Sequence, residues 1–370
     1  MKVLQVNKLY YPHIGGVENH VRDLAVGIKD WVDVRVLVAN TSPIGRTETI
    51  DGVEVTKVAS LGRFRSAPLV PTFGLWLKRL RSDIYHFHFP FPTGELAYLW
   101  ARPPGKLVVT YHSDIIRQKL LLRAYTPYLR KFLASADRII ATSPNMIEHS
   151  PFLQNLKEKC TVIPFGIDLK KFELTPDIKE KINQLRMKYG PRMVFFLGRF
   201  IYYKGLEYLI VAMKEVDANL VIAGSGPLEQ ELKKMVAESG LKRKVNFVRE
   251  PRDEDIAAYF HACDVFVLPS VERSEAFGIV QLEAQACGKP VVSTNLTTGV
   301  PFVNLDEETG LVVMPRSSTA LADAINKLLE DDQLRMKLGA QARARVEKEF
   351  TRELMAERVL KLSEEVTRYE

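Results

Sequence analysis

The sequence has few cysteines and no long apolar run. Its 370 residues include three cysteines, Cys160, Cys263 and Cys287, which lie far apart and form no Cys-x-x-Cys pair. Neither a disulfide framework nor a zinc site is therefore supported. No run approaches the roughly 18 apolar residues of a membrane-spanning helix, and the polar residues near the N-terminus favour a first strand over a signal peptide. We expect a cytoplasmic protein.

Common nucleotide-binding motifs are also missing. The sequence has neither the dinucleotide fingerprint Gly-x-Gly-x-x-Gly nor a phosphate loop with Gly-Lys-Ser or Gly-Lys-Thr. It has no RNA- or DNA-binding motif and no platform of aromatic and basic strand residues. These absences argue against a dehydrogenase, a P-loop enzyme and a nucleic-acid-binding protein.

The net charge of +7 is unevenly distributed along the chain. Residues 1–170 hold 23 Lys and Arg against 14 Asp and Glu, whereas residues 171–370 hold 29 against 31. A basic first half indicates an anionic partner, such as phospholipid head groups, nucleic acid or a phosphorylated acceptor. A surface charge that only keeps the protein in solution is the alternative.

Short β-rich runs alternate with amphipathic helical segments, which predicts parallel, doubly wound sheets. We therefore predict two Rossmann-like α/β domains. The predicted strands are 3–7, 32–38, 53–58, 84–88, 107–111, 138–142, 159–163, 193–197, 219–223, 245–247, 265–268, 290–294 and 310–313, and the predicted helices include 17–29, 72–81, 117–134, 206–216, 227–239, 254–262, 278–287 and 318–329.

The domain boundary is predicted near residues 164–176, where Pro-Phe-Gly-Ile-Asp precedes a polar stretch. This gives domains 1–170 and 171–350, with an amphipathic last helix, 351–370, that is expected to pack back on the first domain. Ligands of doubly wound domains bind beyond the carboxyl ends of the strands. Two facing domains would therefore place an active site in the cleft between them.

Two glycine-containing loops at predicted strand ends are candidates for phosphate binding. Gly15 and Gly16 open a helix, where backbone N–H groups and the helix dipole attract a phosphate. A loop that needs a positive φ at one glycine is the structural alternative. Gly224, Ser225 and Gly226 follow a later strand, and this segment is either a phosphate or nucleoside contact or an ordinary turn.

A basic loop at 198–205, Gly-Arg-Phe-Ile-Tyr-Tyr-Lys-Gly, follows the first strand of the second domain. It places Arg199 and Lys204 on one connection, where two fixed cations can neutralise the charge of a diphosphate leaving group. A solvated basic loop would explain either cation alone. The flanking glycines and the position at a strand end favour the functional interpretation.

The most specific stretch is 274–288, which contains two carboxylates. Glu275 lies in a predicted loop, and Glu283 lies on a helix of small, apolar residues that is expected to be buried. A buried carboxylate is costly unless it is hydrogen-bonded. Sugar hydroxyls would satisfy Glu275 and a ribose diol would satisfy Glu283. A structural glutamate with backbone partners is the alternative.

Histidines and acidic residues are further candidate ligands in the sequence. His112 ends a strand, where it can hydrogen-bond a substrate. His86 and His88 have the spacing of one strand face, but no third ligand is apparent, so we predict no metal and a cleft-lining role for one of them. The acidic run 253–255 precedes a predicted helix and is interpreted as its N-terminal cap.

Together these motifs resemble the retaining GT-B glycosyltransferases of family 4 over nearly the whole chain. The resemblance rests on the Gly15-Gly16 loop, Tyr-His-Ser-Asp around His112, the pair Arg199 and Lys204, and the Glu-x7-Glu spacing of Glu275 and Glu283. A narrower resemblance is to bacterial mannosyltransferases of surface-polysaccharide assembly.

The resemblance implies a role for each matching residue. It implies that the N–H of Gly16 binds the donor diphosphate, that Arg199 and Lys204 clamp it, and that Glu283 binds the nucleotide ribose. It further implies that Glu275 binds the hydroxyls of the donor sugar. The remaining implied donor contacts are His112 near the sugar C6 hydroxyl and reacting carbon, the backbone of Phe277 and Gly278 beside the sugar, and residues 248–250, with Arg249, at the base. Gly15, Gly224, Ser225 and Gly226 are expected to join these donor contacts because of their positions at strand ends.

The implied reaction is retaining transfer of a hexose to a lipid-linked or oligosaccharide acceptor, without a metal or other cofactor. Mannose from GDP-mannose is our first expectation, and glucose or N-acetylglucosamine from a UDP donor is the alternative. A GT-B nucleotide-sugar epimerase is a further alternative. Such epimerases lack the arrangement of Glu275 and Glu283 in this form, which counts against this alternative.

Basic residues mixed with apolar ones in the first half predict contact with an anionic membrane surface, on the inner face of the cell membrane. Ordinary amphipathic helices that cover a core are the alternative. The residues concerned are Arg63, Phe64, Arg65, Trp76, Leu77, Lys78 and Arg79, and the segment 115–132 with Arg117, Lys119, Arg123, Arg130 and Lys131.

Overall fold

The computed structural model describes residues 1–13, 15–64, 67–115 and 119–368. It divides the chain into two compact units, Met1–Gly166 together with Arg352–Glu370, and Ile167–Thr351. The predicted α/β class with two Rossmann-like domains is confirmed, since each unit contains a mainly parallel sheet flanked by helices.

Unit 1 begins with elements that alternate between strands and helices. These are β1 (Lys2–Asn7), α1 (Gly16–Ile28), β2 (Asp33–Ala39), β3 (Arg46–Ile50), β4 (Val53–Val58), β5 (Arg63–Phe64), β6 (Ala67–Pro68), α2 (Phe73–Arg79), β7 (Ile84–Phe89), α3 (Pro92–Ala101), β8 (Lys106–Tyr111), α4 (Lys119–Ser135), β9 (Arg138–Ala141), α5 (Pro144–His149) and β10 (Cys160–Val162).

Unit 2 continues the alternation, and the last helix of the chain returns to unit 1. The elements of unit 2 are α6 (Pro176–Tyr189), β11 (Met193–Leu197), α7 (Leu206–Ala212), β12 (Asn219–Ala223), α8 (Glu229–Glu238), β13 (Val245–Val248), α9 (Asp253–Ala262), β14 (Val265–Leu268), α10 (Val280–Ala286), β15 (Val291–Thr294), α11 (Val300–Val303), β16 (Gly310–Val313), α12 (Ser318–Glu330) and α13 (Asp332–Glu349), and the last helix is α14 (Arg352–Arg368).

The sheet of unit 1 has eight strands in the order β10-β9-β8-β7-β1-β2-β4-β3. All pairs are parallel except β3 with β4. The antiparallel strand β3 was not predicted, because Arg-Thr-Glu-Thr-Ile at a sheet edge is polar and half exposed and so lacks an apolar pattern. On one face, α1 and α14 pack together, with Val21 and Leu24 in the same apolar core as Met355 and Val359.

The sheet of unit 2 has six parallel strands in the order β13-β12-β11-β14-β15-β16. Its strand cores are fully buried, as in Val194 and Phe196 of β11, and helices α7 and α12 pack on one face. Helix α6 begins at the end of the predicted domain boundary, 164–176, and is largely polar. It was not predicted because only Ile178 and Tyr189 of its 14 residues are buried.

The start of α3 is held by a buried carboxyl group. Glu95 is 1% exposed, and its Oε1 accepts a hydrogen bond of 2.5 Å from the backbone N–H of Phe91, the residue before the helix. Burial raises the pKa of Glu95 to about 8. The group therefore stays protonated in the folded chain at neutral pH, whereas in the unfolded chain it ionises near its ordinary value.

This pKa predicts that Glu95 destabilises the protein as the pH rises. The contribution of protonated Glu95 to the free energy of unfolding is fully present below the unfolded pKa. It is lost as the pH increases toward 8, by up to about 1.4 kcal/mol per pH unit. Glu95→Gln keeps the acceptor for Phe91 and should lose this component of the pH dependence between pH 5 and 8. Urea unfolding at several pH values measures it, with Glu353→Gln, an exposed glutamate of α14, as control. An unchanged slope in Glu95→Gln would contradict the assignment.

Candidate active site

Three loops of unit 2 meet because they follow neighbouring parallel strands. The segments 198–205, 224–227 and 269–279 follow β11, β12 and β14, which are adjacent in the order β12-β11-β14. Carboxyl ends of parallel strands lie on one edge of the sheet, where ligands of this architecture bind. The predicted residues Arg199, Lys204 and Glu275 therefore belong to one edge.

The loops approach each other so closely that glycine is required. The backbone N–H of Phe200 donates to the carbonyl of Ser225 at 2.8 Å, and a Cβ on Gly224 would overlap the carbonyl of Gly198. Gly205 has a φ of 65° and would meet the carbonyl of Pro269. Both glycines therefore serve backbone packing in addition to any ligand.

A buried ion pair joins the loop after β11 to the loop after β14. Lys204 Nζ lies 2.6 Å from Glu275 Oε2, and the hydroxyl of Ser270 donates to the same oxygen at 2.8 Å. Lys204 and Glu275 are 8% and 7% exposed. The phenol of Tyr203 borders this pair, and burial together with the negative charge of Glu275 raises its pKa. The structure thus brings Lys204, the predicted diphosphate-binding residue, into direct contact with Glu275, the predicted sugar-binding residue.

Side-chain bonds at the same edge hold the loops in register. Tyr202 and Ser274 share a hydroxyl hydrogen bond of 3.0 Å, and the backbone N–H of Val271 donates to the carbonyl of Tyr203 at 2.8 Å. Arg199 lies in the first of these loops with an exposed side chain. An exposed guanidinium on a fixed loop can turn toward an anionic group without breaking a packed contact.

The loop after β12 is tied to the end of β13. Ser225 Oγ donates to Glu250 Oε1 at 2.5 Å, and Glu250 has a φ of 43°. Arg249, the predicted base contact, is exposed beside it. In the structure it is therefore Glu250, and not Arg249, that bonds to this loop.

Helix α10 carries the second predicted glutamate. Glu283 is half-buried, whereas the neighbouring residues Gln281, Leu282, Ala284, Gln285 and Ala286 are buried, so the expectation of a buried carboxylate is corrected. The helix buries its sides against the sheet and leaves the Glu283 position partly accessible. Phe277 and Gly278 are buried just before the helix, and the carbonyl of Phe277 accepts from Gln281 Nε2 at 3.1 Å.

In unit 1, a row of polar side chains crosses three adjacent strands. Gln5 lies on β1, His88 on β7 and His112 directly after β8. His88 Nε2 is 2.7 Å from Gln5 Oε1, and His88 Nδ1 is 3.0 Å from His112 Nε2. All three are buried, and burial lowers the pKa of His112 to about 3, with a smaller effect of His86.

The amide oxygen of Gln5 determines which atoms donate and which accept in the hydrogen bonds of this row. An amide oxygen only accepts, so His88 Nε2 carries the proton and His88 Nδ1 has the lone pair. His112 Nε2 then donates to His88, which leaves His112 Nδ1 as an acceptor with no bonded partner among the described residues. The row therefore fixes one tautomer of His112.

His20 lies with His88 and His112 in one group of three imidazoles, which does not include His86 of the predicted pair. His20, on α1, faces the rings of His88 and His112 at centroid distances of 5.5 and 5.1 Å. His86 is directed elsewhere, to Thr110 Oγ1 at 2.7 Å. Both members of the predicted pair are buried within unit 1. Sequence spacing could not reveal His20, because it comes from a helix far along the chain from both strands.

The glycine loop before α1 does not have the positive φ that the structural alternative requires at Gly15 or Gly16. Gly15 has a φ of −171°, which is extended backbone. Neither Gly15 nor Gly16 is among the described residues with a positive φ. A Cβ on Gly15 would instead overlap the Glu18 carboxylate. Gly16 is exposed at the first position of the helix.

The acidic run 253–255 lies inside the first turn of α9 and does not cap it by a side-chain hydrogen bond. Asp255 instead pairs with Lys181 at 2.5 Å and with Arg252 at 2.9 Å. Acidic side chains in a first turn still interact favourably with the helix dipole.

Within the described ranges, His20, His88 and His112 form the one group with the geometry to hold a metal ion.

Among the described helices, none is sufficiently long and apolar to cross a bilayer. Of the predicted membrane-facing residues, Leu77 is buried in the core, whereas Arg63, Lys78 and Arg79 are exposed. Arg123, Arg130 and Lys131 are also exposed on α4. Arg65, Arg117 and the side chain of Lys119 lie outside the described residues, as do Ile14 and residues 369–370.

The two Rossmann-like units have the architecture of the GT-B glycosyltransferases. The model of the family "Glycosyltransferase Family 4" matches residues 14–171, and that of "Glycosyl transferases group 1" matches residues 177–345. The chain belongs to the family 4 glycosyltransferases.

Known relatives match nearly the whole chain. The chain is 36% identical to the O-antigen chain mannosyltransferase C of Escherichia coli, over 98% of both chains. It is also 36% identical to a D-rhamnosyltransferase of Pseudomonas aeruginosa, over 95% of this chain and 92% of the relative. Among solved structures, the sucrose-phosphate synthase of Thermosynechococcus elongatus matches with a TM-score of 0.83 at 24% identity, over 100% of both chains.

The Lys204–Glu275 pair predicts strong energetic coupling. Lys204→Met leaves a buried carboxylate without its cation and should cost about 3–5 kcal/mol of the free energy of unfolding. The double variant Lys204→Met/Glu275→Leu should cost clearly less than the sum of the two single changes.

Urea unfolding of the four proteins measures this coupling. The matched control is the more exposed pair Lys233 and Glu229, one helical turn apart on α8, where the coupling should stay below about 1 kcal/mol. Additive effects at Lys204 and Glu275 would contradict the buried pair.

Proposed function

We propose that the protein is a retaining hexosyltransferase that moves mannose from GDP-mannose to a lipid-linked or oligosaccharide acceptor in polysaccharide or glycolipid assembly. The observation that supports this most is the group of Arg199, Lys204, Ser270 and Glu275 at one sheet edge of unit 2. It combines cations for a diphosphate with a carboxylate for sugar hydroxyls. The mannosyl and rhamnosyl transferases among its relatives support the sugar class.

In this proposal unit 2 binds the donor. Arg199 and Lys204 contact the diphosphate, and Glu283, which is half-buried on α10, accepts from the ribose hydroxyls. Glu275 accepts from the sugar hydroxyls, with Phe277 and Gly278 beside it. Because Lys204 already pairs with Glu275, its ammonium group bridges the sugar site and the diphosphate site. Gly224, Ser225 and Gly226 contact the phosphates or the nucleoside, and Arg249 contacts the base.

Unit 1 supplies the acceptor site and two donor contacts in this proposal. The backbone N–H of Gly16, an exposed residue beside Gly15, binds the diphosphate at the start of α1, where the helix dipole favours an anion. His112 accepts a hydrogen bond from the sugar C6 hydroxyl through Nδ1, the nitrogen that the row of Gln5 and His88 leaves available. Neutral imidazole suits this task, because burial holds the pKa of His112 far below neutrality.

The proposed chemistry is a same-face displacement. The bond from the anomeric carbon to the diphosphate oxygen breaks, and the bond to the acceptor oxygen forms on the same face. The acceptor's proton passes to the departing phosphate oxygen. Arg199 and Lys204 stabilise the charge that develops on the diphosphate, so we propose that transfer needs neither metal nor cofactor.

The mannose assignment is consistent with both relatives, because D-rhamnose is 6-deoxymannose and shares the manno configuration at C2, C3 and C4. The two sugars differ at C6, the position assigned to His112. Glucose or N-acetylglucosamine from a UDP donor is the competing choice, which a comparison of nucleotides decides.

We further propose a peripheral position on the inner face of the cell membrane. Leu75 on α2 and Leu96 and Trp100 on α3 are 55%, 40% and 61% exposed. Lys78 Nζ lies 4.4 Å from the Trp100 ring centroid. Exposed tryptophan and leucine beside lysine suit the interface of an anionic bilayer.

Donor binding should appear as thermal stabilisation without metal. At 100 times its dissociation constant, a ligand stabilises the folded state by about 2.7 kcal/mol. We expect GDP and GDP-mannose to raise the Tm, with smaller shifts for UDP, UDP-glucose and UDP-N-acetylglucosamine, and Glu283→Ala to lose most of the shift. Glu231→Ala, on α8 of the same unit, is the control.

Incubation with GDP-mannose and an acceptor oligosaccharide completes this test, since proton NMR of the product reports the anomeric configuration. An α-mannoside is expected. A β-mannoside would overturn retention, a shift with UDP alone would overturn the base, and no shift with any nucleotide would overturn the donor site.

Membrane contact should depend on Trp100. With liposomes that contain phosphatidylglycerol at low salt, the wild-type protein should float with the lipid, and Trp100→Ala should reduce the bound fraction several-fold. Trp31→Ala removes another exposed tryptophan of unit 1, outside α2 and α3, and should bind like the wild type. A wild-type protein that stays in the aqueous fraction would contradict the proposal.

A further inference from the structure

Three histidine side chains converge inside unit 1 without an acidic residue in the group. His20, His88 and His112 each present one ring nitrogen, and these three nitrogens lie within 4.8 Å of one another. The side chains are 7%, 1% and 3% exposed. They come from α1, β7 and the end of β8, so packed secondary structure holds each one in place.

Hydrogen bonding leaves this group short of partners. Both ring nitrogens of His20 and Nδ1 of His112 are buried without a hydrogen-bond partner among the described residues. Buried polar atoms are normally satisfied, because an unsatisfied one costs about 1–3 kcal/mol. His20, whose two ring nitrogens have no partner among the described residues, faces the imidazoles of His88 and His112, and this arrangement points to a ligand that accepts nitrogen lone pairs.

The neighbouring residue Gln5 orients one ligand nitrogen. Its Oε1 accepts from His88 Nε2 at 2.7 Å, which leaves the lone pair of His88 on Nδ1, the nitrogen that faces His112. Metal-bound histidines usually donate their other N–H to an oxygen acceptor in this way. Gln5 thus orients a metal-binding histidine without contacting the ion itself.

We propose that His20, His88 and His112 form a binding site for a divalent transition metal ion, with Zn²⁺ as the fitting member. Imidazole nitrogens suit Zn²⁺, and three histidines leave a fourth position open. With Zn–N distances of about 2.0–2.1 Å, tetrahedral ligand nitrogens lie about 3.4 Å apart. His88 Nδ1 and His112 Nε2 lie 3.0 Å apart, and the three ligand nitrogens all lie within 4.8 Å of one another, which is compatible with such a site.

Metal binding and sugar transfer use His112 in incompatible ways. To bind through Nε2, His112 gives up its hydrogen bond to His88 and moves its proton to Nδ1, so the imidazole stays neutral overall. Nδ1 is then a donor and no longer accepts from the sugar hydroxyl. Bound Zn²⁺ therefore inhibits transfer, and this second part rests on the proposed function, whereas the metal site does not.

The metal site is tested by binding alone. Isothermal titration of the full-length, chelator-treated protein with ZnCl₂ should give one ion per chain. His20→Ala should weaken binding by more than about 100-fold and Gln5→Leu by about 10- to 100-fold, the loss that an outer-shell partner causes. His149→Ala, an exposed histidine at the end of α5, is the control and should bind like the wild type.

A spectroscopic readout covers the case in which a variant folds poorly. Co²⁺ added to the wild-type protein should give the visible absorption of a tetrahedral nitrogen site, and Zn²⁺ should displace it. Absence of stoichiometric binding, or binding that His20→Ala leaves unchanged in a folded variant, would overturn the site.

Inhibition is measured separately, as transfer from the nucleotide sugar at increasing Zn²⁺. Activity should fall with the dissociation constant found by titration and return on chelation. If one ion binds but transfer is unchanged, the link to His112 is overturned and the metal site stands. If the protein transfers no sugar at all, the proposed function fails, and the binding experiment still decides the site.

Discussion

A charged carboxylate taken out of water must keep a cation and a hydrogen-bond donor, and much of unit 2 is arranged around this requirement at Glu275. Lys204 and Ser270 meet it, and the contact joins the loops after β11 and β14. Glycines at 205 and 224 let the surrounding backbones approach closely enough for these loops to pack together. These contacts fix the register of the loops at this edge of the sheet, and preorganised groups lower the entropy cost of binding a ligand.

Unit 1 handles buried polarity in another way, with neutral groups in place of an ion pair. The imidazoles of His88 and His112 stay uncharged because burial penalises their charged forms, and Gln5 gives the row its direction. A single amide oxygen on β1 therefore determines which nitrogen is available two strands away. The two units thus offer complementary chemistry, charge in one and oriented neutral donors and acceptors in the other.

The sequence predicted the fold well because most strands of a parallel sheet are buried and appear as short apolar runs. The strands 53–58, 193–197, 219–223, 265–268 and 310–313 were predicted with the bounds that the structure shows. Polar elements such as β3 and α6 were missed, since exposed faces carry no periodic signal. Glu275 and Lys204 were found through motifs, but their pairing was not, because contacts between distant segments depend on strand order. His20 and Gln5 were missed for the same reason.

The path of the chain between the units bears on how the protein is made. Unit 1 is completed by α14, whose Met355 and Val359 share a core with Val21 and Leu24 of α1, although residues 167–351 of unit 2 are translated in between. Domains tend to fold from the N-terminus as they emerge. Here the apolar side of α1 has to wait for its partner until unit 2 has left the ribosome, so the unit that is begun first is finished last.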